Sequence, residues 1–238
     1  MGQRKHLTQF EVERILEMAK KSPNSERDYC LVYMSFVHGL RVSEASHLRL
    51  SDLDLGGKTL YIQRLKCGFS TNHPLLGYEI HAIKAWLQVR KKLKGAEESN
   101  WLFLSRYGKP LTRQRIYQII NQLGQLANIS VRSHPHMLRH ACGFSLANRG
   151  IDTRLIQDYL GHCNIRHTVR YTASNSERFQ GIWKSIRNRQ PVTHFGKNIS
   201  GAILEDEILM EKMEVSGIDV DSIQLDIRST LSQSDRTD

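Results

Sequence analysis

Five side chains in this chain of 238 residues have the types and spacing to work on a phosphodiester. They are Arg41 in GLRVSE, His136 and Arg139 in HPHMLRH, His162 in LGH, and Tyr171 nine residues further on. Attack by a phenol on a backbone phosphate has three requirements. The phenol, with a reference pKa of about 10, must lose its proton. The transition state gathers negative charge on the non-bridging oxygens, and guanidinium groups suit it because they stay charged and grip phosphate oxygens in pairs. The departing oxygen needs a proton. Two arginines, an imidazole or two and a lysine meet that list without metal.

The elements that must position these residues are mostly helical. Thr8 with Glu11 forms a capping box, and an apolar stripe (Phe10, Val12, Ile15, Leu16, Ala19) carries a first helix to Lys21. Ser22-Pro23-Asn24 breaks it. A second, strongly apolar helix spans about 26–38 and ends at Gly39, as a C-terminal glycine would end it. Arg41 opens the next helix, 42 to about 48, where its side chain can leave the helix start. Beyond the Gly56-Gly57 turn, runs 59–65 and 70–75 read as two strands of an antiparallel hairpin joined through Lys66-Cys67-Gly68. Helical pattern resumes at Glu79 and dissolves in the charged stretch 90–98. Helices are expected at about 112–127, 137–149 and 153–160. His136 and Arg139, three apart, share a helix face, His162 sits at a turn ending a helix, and Tyr171 lies on a separate segment that could swing in.

Charge restricts the partners. The net charge is +10, yet from Gly201 onward ten acidic residues face three basic ones, a balance of −7 that leaves residues 1–200 at +17. Such a surplus favours a polyanion such as nucleic acid over a plain solvated surface or an anionic lipid face. No apolar h-region opens the chain, and no apolar run approaches the roughly 20 residues of a membrane span. The four cysteines lack C-x-x-C spacing, which suits free thiols in a reducing, cytoplasmic setting. We divide the chain into a folded basic part, residues 1–188, and a polar then acidic tail, 189–238, with the composition of a disordered or interaction segment. One more helix is expected at about 177–186.

R-x-S-E, then H-x-L-R-H, then L-G-H with a tyrosine nine residues later resembles the tyrosine recombinase (phage integrase) family. The likeness runs from about Leu7 to Trp183 and is most detailed with the short fimbrial phase-switch recombinases, in RLKCGFSTNHPLL (64–76) and HPHMLRHACGFSLANRG (134–150). The fold it implies is mainly α with a small antiparallel β-sheet: a recombinase catalytic domain beginning near its first helix, without the N-terminal core-binding domain of larger members. The activity it implies is site-specific DNA strand breakage and rejoining, inverting a promoter element of phase-variable fimbrial genes. Tyr171 is then the nucleophile forming a 3′-phosphotyrosine. Arg41 and Arg139 clamp the phosphate, His136 acts in proton transfer with the tyrosine, and His162 hydrogen-bonds a phosphate oxygen. Lys66 protonates the leaving 5′ oxygen, and Glu44 orients Arg41 and the neighbouring histidines. The phosphotyrosine keeps the bond energy, so no cofactor, neither ATP nor metal, is needed. The implied partners are double-stranded DNA with paired inverted-repeat sites, three further protomers in a homotetramer on DNA, and accessory DNA-bending proteins. Localisation is expected in the bacterial cytoplasm, with the nucleoid. Arg64, Lys109, Arg113, Arg115 and Arg132 are candidate phosphate contacts.

Other readings of the same residues stay open. Arg41 and Glu44 could be a helix-surface ion pair, Tyr171 a packing residue, and Lys66 an exposed turn lysine. His134, His136, His140, His162, Cys163 and His167 invite zinc, but no H-E-x-x-H occurs and the arginines would have no part in such a site. Cys142 and Cys163 lack the base that activates a thiol. The family likeness also admits an integrase or resolvase of a mobile element, a type IB topoisomerase, or a DNA-binding regulator that keeps the scaffold without the chemistry.

Overall fold

Thr8 Oγ1 accepts from the Glu11 amide and the Glu11 carboxylate accepts from the Thr8 amide, so the first helix, α1 (Gln9–Lys20), starts where its capping box places it. The computed structural model describes residue 4 and residues 6–64 and 68–173. Helix α2 (Ser25–Val37) buries Cys30, Leu31, Val32 and Met34 and turns out of the helix at Gly39, whose φ of +56° a glycine adopts without strain. A six-residue helix, α3 (Val42–His47), follows directly.

The sheet has three antiparallel strands in the order β1 (Leu53–Asp54), β2 (Thr59–Ile62), β3 (Thr71–Pro74). Leu60 pairs with His73 and Ile62 with Thr71, so the expected hairpin is present with shorter strands. The third strand, pairing Leu53 with Leu60, is new, because two residues are too few to show an alternating pattern.

Helix α4 (Gly77–Arg90) is followed by a connection whose carbonyls at Ala96, Ser99 and Trp101 all accept from the Arg90 guanidinium. Thr112 caps α5 (Arg113–Leu126) by accepting from the Arg115 amide. Helix α6 (Pro135–Asn148) begins two residues ahead of the expected Met137, because proline fits the first helical position, where its missing N–H has no partner to lose. Asp152 caps α7 (Thr153–Leu160) by accepting from the Arg154 and Leu155 amides.

The last described element, α8 (Arg166–Ala173), is a helix where the sequence pattern indicates only a separate segment. Its sequence, RHTVRYTA, is polar and β-branched and has little helical propensity of its own. It packs against α6 and α7, and that contact holds it helical with Thr168 and Tyr171 at 0% exposure. Two apolar clusters result. The larger includes Ile15, Leu31, Ile83, Leu104, Ile116 and Leu138. The smaller joins Cys142, Ala147, Ile156 and Leu160 to Tyr171 itself.

Behind the sheet runs a buried polar chain. Glu79 on α4 bonds His38 Nε2, His38 meets His73 at 3.1 Å between their Nδ1 atoms, and His73 Nε2 meets Thr71 Oγ1 at 2.9 Å. It ties α4 and the end of α2 to β3. Among the described residues no helix is long and apolar enough to cross a membrane. The helix expected at 177–186 and the tail at 189–238 lie outside the described residues.

Candidate active site

Glu44 is the anion at the centre of the site. It is 2% exposed, and its two oxygens face three guanidinium groups: Arg41 at 2.6 Å, Arg64 at 2.7 Å and Arg139 at 3.7 Å. The Arg41 amide also donates to it, at 2.8 Å. Burial alone would raise this carboxyl, but Arg64, the Arg41 amide and the other two cations outweigh it and hold Glu44 below the usual carboxylate range. The spacing R-x-S-E thus does two jobs. It places Arg41 at the start of α3 and brings Glu44 back one turn beneath it.

Backbone carbonyls orient the arginines. Arg41 Nη2 donates to Gly161 O at 3.1 Å, while Arg139 donates to Gly39 O and Leu160 O at 2.5 Å each. Gly161 sits in the left-handed region at φ +62°, and a Cβ there would lie 2.8 Å from Arg64 Nε. The Leu-Gly-His turn therefore needs its glycine twice, for its conformation and for the close approach of Arg64. Burial, then Arg41, pushes the Arg139 guanidinium down to about 9, which leaves it a cation at neutral pH.

His162 follows that turn. Its amide donates to Gln157 O, its carbonyl accepts from Gln157 Nε2, and its Nδ1 lies 2.9 Å from Thr168 Oγ1. Burial first, then Arg139 and Arg41, push the imidazole down to about 3, so it is neutral under ordinary conditions. His136 is exposed, and its basicity is lowered by partial burial first and then by Arg139.

Tyr171 closes the set. Its ring lies 6.2 Å from His162 and 5.1 Å from Phe144 between centroids, with Arg170 over its face at 5.6 Å. Its hydroxyl is 2.9 Å from His140 Nδ1. Burial raises the phenol above its ordinary pKa, opposed by Arg170, Arg139 and Arg41. Arg41, His136, Arg139, His162 and Tyr171, drawn from four places in the sequence, lie close enough to act on one another, with Glu44 against the arginines. Lys66 lies outside the described residues.

Three placements differ from the sequence-based expectation. Arg64 is 6% exposed, gives its guanidinium to Glu44 and to Tyr159 O, and is an internal strut rather than a surface phosphate contact. The imidazole at the Tyr171 hydroxyl is His140, not His136, the residue expected to exchange a proton with it. Tyr171 is packed in the site rather than held apart from it. Lys109, Arg113, Arg115 and Arg132 are exposed, as expected. Arg113 lines a shallow depression with Val42, Gln114, Tyr117 and Gln118, next to the Arg41 end of α3.

From the sequence His140 stands out only as a possible zinc ligand, and Thr168 and Gly143 do not stand out at all. His140 carried a signal, standing four residues after His136 on the same face. Thr168 carried one only once Tyr171 is known to be helical. Gly143 carried none, although a Cβ on it would lie 2.6 Å from Tyr171 Cε2.

Known proteins resemble this chain in sequence and in fold. The chain is 58% identical over 187 residues to the type 1 fimbriae regulatory protein FimB of Escherichia coli (strain K12), across 79% of this chain and 93% of FimB. Its structure is similar to that of XerA recombinase, with a TM-score of 0.68 and 26% identity over 80% of this chain and 68% of that one. It is also similar to XerH site-specific recombinase in a post-cleavage complex with palindromic difH substrate, with a TM-score of 0.62 and 27% identity over 75% of this chain and 53% of that one. A model of the phage integrase family matches residues 5–178. With that match, and with its helical fold, small antiparallel sheet and arginine–histidine–tyrosine cluster, the chain belongs to the phage integrase family of tyrosine recombinases.

Proposed function

We propose that this chain cuts and rejoins double-stranded DNA through a 3′-phosphotyrosine at Tyr171, and that it inverts a promoter segment controlling fimbrial genes. The observation that carries the chemistry is the position of Tyr171: its side chain is buried, its hydroxyl lies 2.9 Å from His140 Nδ1, and Arg139 and Arg41 are near enough to favour a phenolate. The fimbrial target rests on the likeness to FimB over nearly all of that protein.

In the reaction the Tyr171 oxygen forms a bond to phosphorus and the bond from phosphorus to the 5′ oxygen breaks. Arg41 and Arg139 neutralise the non-bridging oxygens. Their contacts to Gly161 O, Gly39 O and Leu160 O fix the guanidinium planes beforehand, so little reorganisation is needed when charge develops. With Thr168 donating to Nδ1, His162 carries its proton on Nε2 and gives it to a phosphate oxygen. His136 completes the imidazole set, and Lys66 supplies the proton for the 5′ oxygen. The phosphotyrosine ester keeps the energy of the broken bond, so religation by a 5′-hydroxyl is the same step reversed.

Exposed Arg113, Arg115, Lys109 and Arg132 supply phosphate contacts on the DNA face. Four protomers on paired inverted repeats, with accessory DNA-bending proteins, complete the assembly, in the cytoplasm at the nucleoid. The test is a duplex nicked near a candidate inverted repeat, incubated without metal or ATP and run on a denaturing gel. We expect a covalent protein–DNA adduct from the wild type and none from Tyr171→Phe. An adduct from Tyr171→Phe would remove Tyr171 from the centre of the reaction.

A further inference from the structure

We propose that His140 accepts the phenol proton of Tyr171 as the nucleophile attacks and returns it on religation, leaving His136 to contact the phosphate. The inference rests on the recombinase reading above and adds a catalytic residue to it.

Geometry selects His140. Helices α6 and α8 pack together so that His140 Nδ1 lies 2.9 Å from the Tyr171 hydroxyl, within direct proton-transfer reach. The other imidazoles are otherwise placed. His162 has its Nδ1 committed to Thr168, and it meets Tyr171 through its ring face, 6.2 Å between centroids. His136 is one turn back on α6, exposed, with its ring 6.5 Å from both His134 and His140.

Electrostatics keep His140 in the state that can accept. The groups acting on His140 are cations or imidazoles from several elements: Arg139 and His136 on α6, Arg170 on α8, and His6 ahead of α1. Together with burial, which weighs most, they push His140 down to about 4, so at neutral pH the ring is uncharged and one nitrogen is an acceptor. Tyr171 faces Arg170, Arg139 and Arg41, which stabilise a phenolate, and Cys142, which does not. Burial outweighs them, so the phenol keeps its proton until a base takes it. In the proposed step the Tyr171 O–H bond breaks with its proton passing to His140 Nδ1, and the oxygen's electron pair forms the bond to phosphorus. The electron pair of the broken bond leaves with the 5′ oxygen, which takes a separate proton. The imidazolium so formed lies among cations, which favours prompt return of the proton on religation.

The experiment is single-turnover adduct formation on the nicked duplex, followed against pH, with His140→Ala and His140→Gln beside the wild type. A wild type that forms no adduct overturns the recombinase reading itself, and is distinct from the outcomes that follow. We expect both variants to bind the duplex normally and to cut it about 10²–10³-fold more slowly near pH 7, with the deficit shrinking about tenfold per pH unit as hydroxide replaces the base. His140→Gln separates the roles, since glutamine can hold the hydroxyl but cannot take its proton. Recovery of the rate in His140→Gln would reduce His140 to a positioning residue. A third arm uses a duplex with sulfur in place of the bridging 5′ oxygen, whose leaving group needs no proton. Both variants should stay slow on it, and recovery would make His140 the acid and overturn the proposal. Independently of DNA, ¹⁵N spectra of the full chain should show His140 protonated at Nε2 with Nδ1 accepting. A proton on Nδ1 would overturn the proposal.

Discussion

A side chain at position 143 and the Tyr171 ring cannot share the space between α6 and α8: a Cβ built on Gly143 lies 2.6 Å from Tyr171 Cε2 and 2.7 Å from Cζ. The glycine is what lets the Tyr171 ring approach α6 with its hydroxyl at His140. Gly143→Ala must push the ring aside. Overpacking costs about 1–3 kcal/mol, and alanine's helix propensity returns up to about 1 kcal/mol of it. We therefore expect a modest fall in the urea midpoint, unchanged DNA affinity and a large loss of adduct. Full adduct formation by Gly143→Ala would mean the ring position seen here is not the working one.

The shared carboxylate predicts an asymmetric response at the centre of the site. Glu44→Gln leaves buried Arg64 and Arg139 without an anion, which should cost about 3–5 kcal/mol. Arg64→Leu should cost less, because Glu44 still faces Arg41 and Arg139. The double variant should fall short of the sum of the two, since the residues share one network. Chemical denaturation of the three variants measures this, and additive losses would contradict it.

Arg139→Lys tests the guanidinium fork. One ammonium cannot serve Gly39 O, Leu160 O and a phosphate together. Adduct formation should fall by about 10²–10³-fold, while binding of the duplex changes little. A lysine variant cutting at the wild-type rate would show that charge alone suffices.

Buried His73 gives a pH dependence of stability. Burial, then His38 and Arg64, hold it at about 3, against about 6.5 in an unfolded chain. The unfolded chain therefore takes up this proton first on acidification. Stability from this group is complete above about pH 6.5 and is lost as pH falls toward about 3, by up to about 1.4 kcal/mol per pH unit. Urea midpoints should decline below about pH 6.5, and His73→Gln should flatten that decline. An unchanged slope in the variant would assign the acid sensitivity elsewhere.

If the proposed phosphate contacts hold, Arg113→Ala and Arg115→Ala should each weaken binding across sequences and reduce the slope of log affinity against log salt by about 1. Salt titrations of duplex binding read this directly. A slope that does not move in either variant would place the DNA elsewhere on the protein.

The chain's own sequence determined much of this protein. Local signals act over a few residues, so Thr8 with Glu11 and Asp152 before Thr153 set helix starts that tertiary contacts had no reason to move. The order and spacing of Arg41, His136, Arg139, His162 and Tyr171 pointed to the tyrosine recombinase family, because motif order survives in the sequence itself. What stayed hidden depended on how distant elements turn toward one another. Whether His136 or His140 meets Tyr171 is decided by the rotation of α6 against α8, a relation between residues 31 apart in sequence. Arg64 looks like any basic residue beside a turn, and only the approach of Gly161 and Glu44 makes it an internal strut. Helix α8 has too little propensity to be seen locally and forms because it buries Thr168 and Tyr171 against α6 and α7. Backbone preference and motif order are written in short stretches of chain, whereas the partner of a buried side chain is settled by packing, which no short stretch contains.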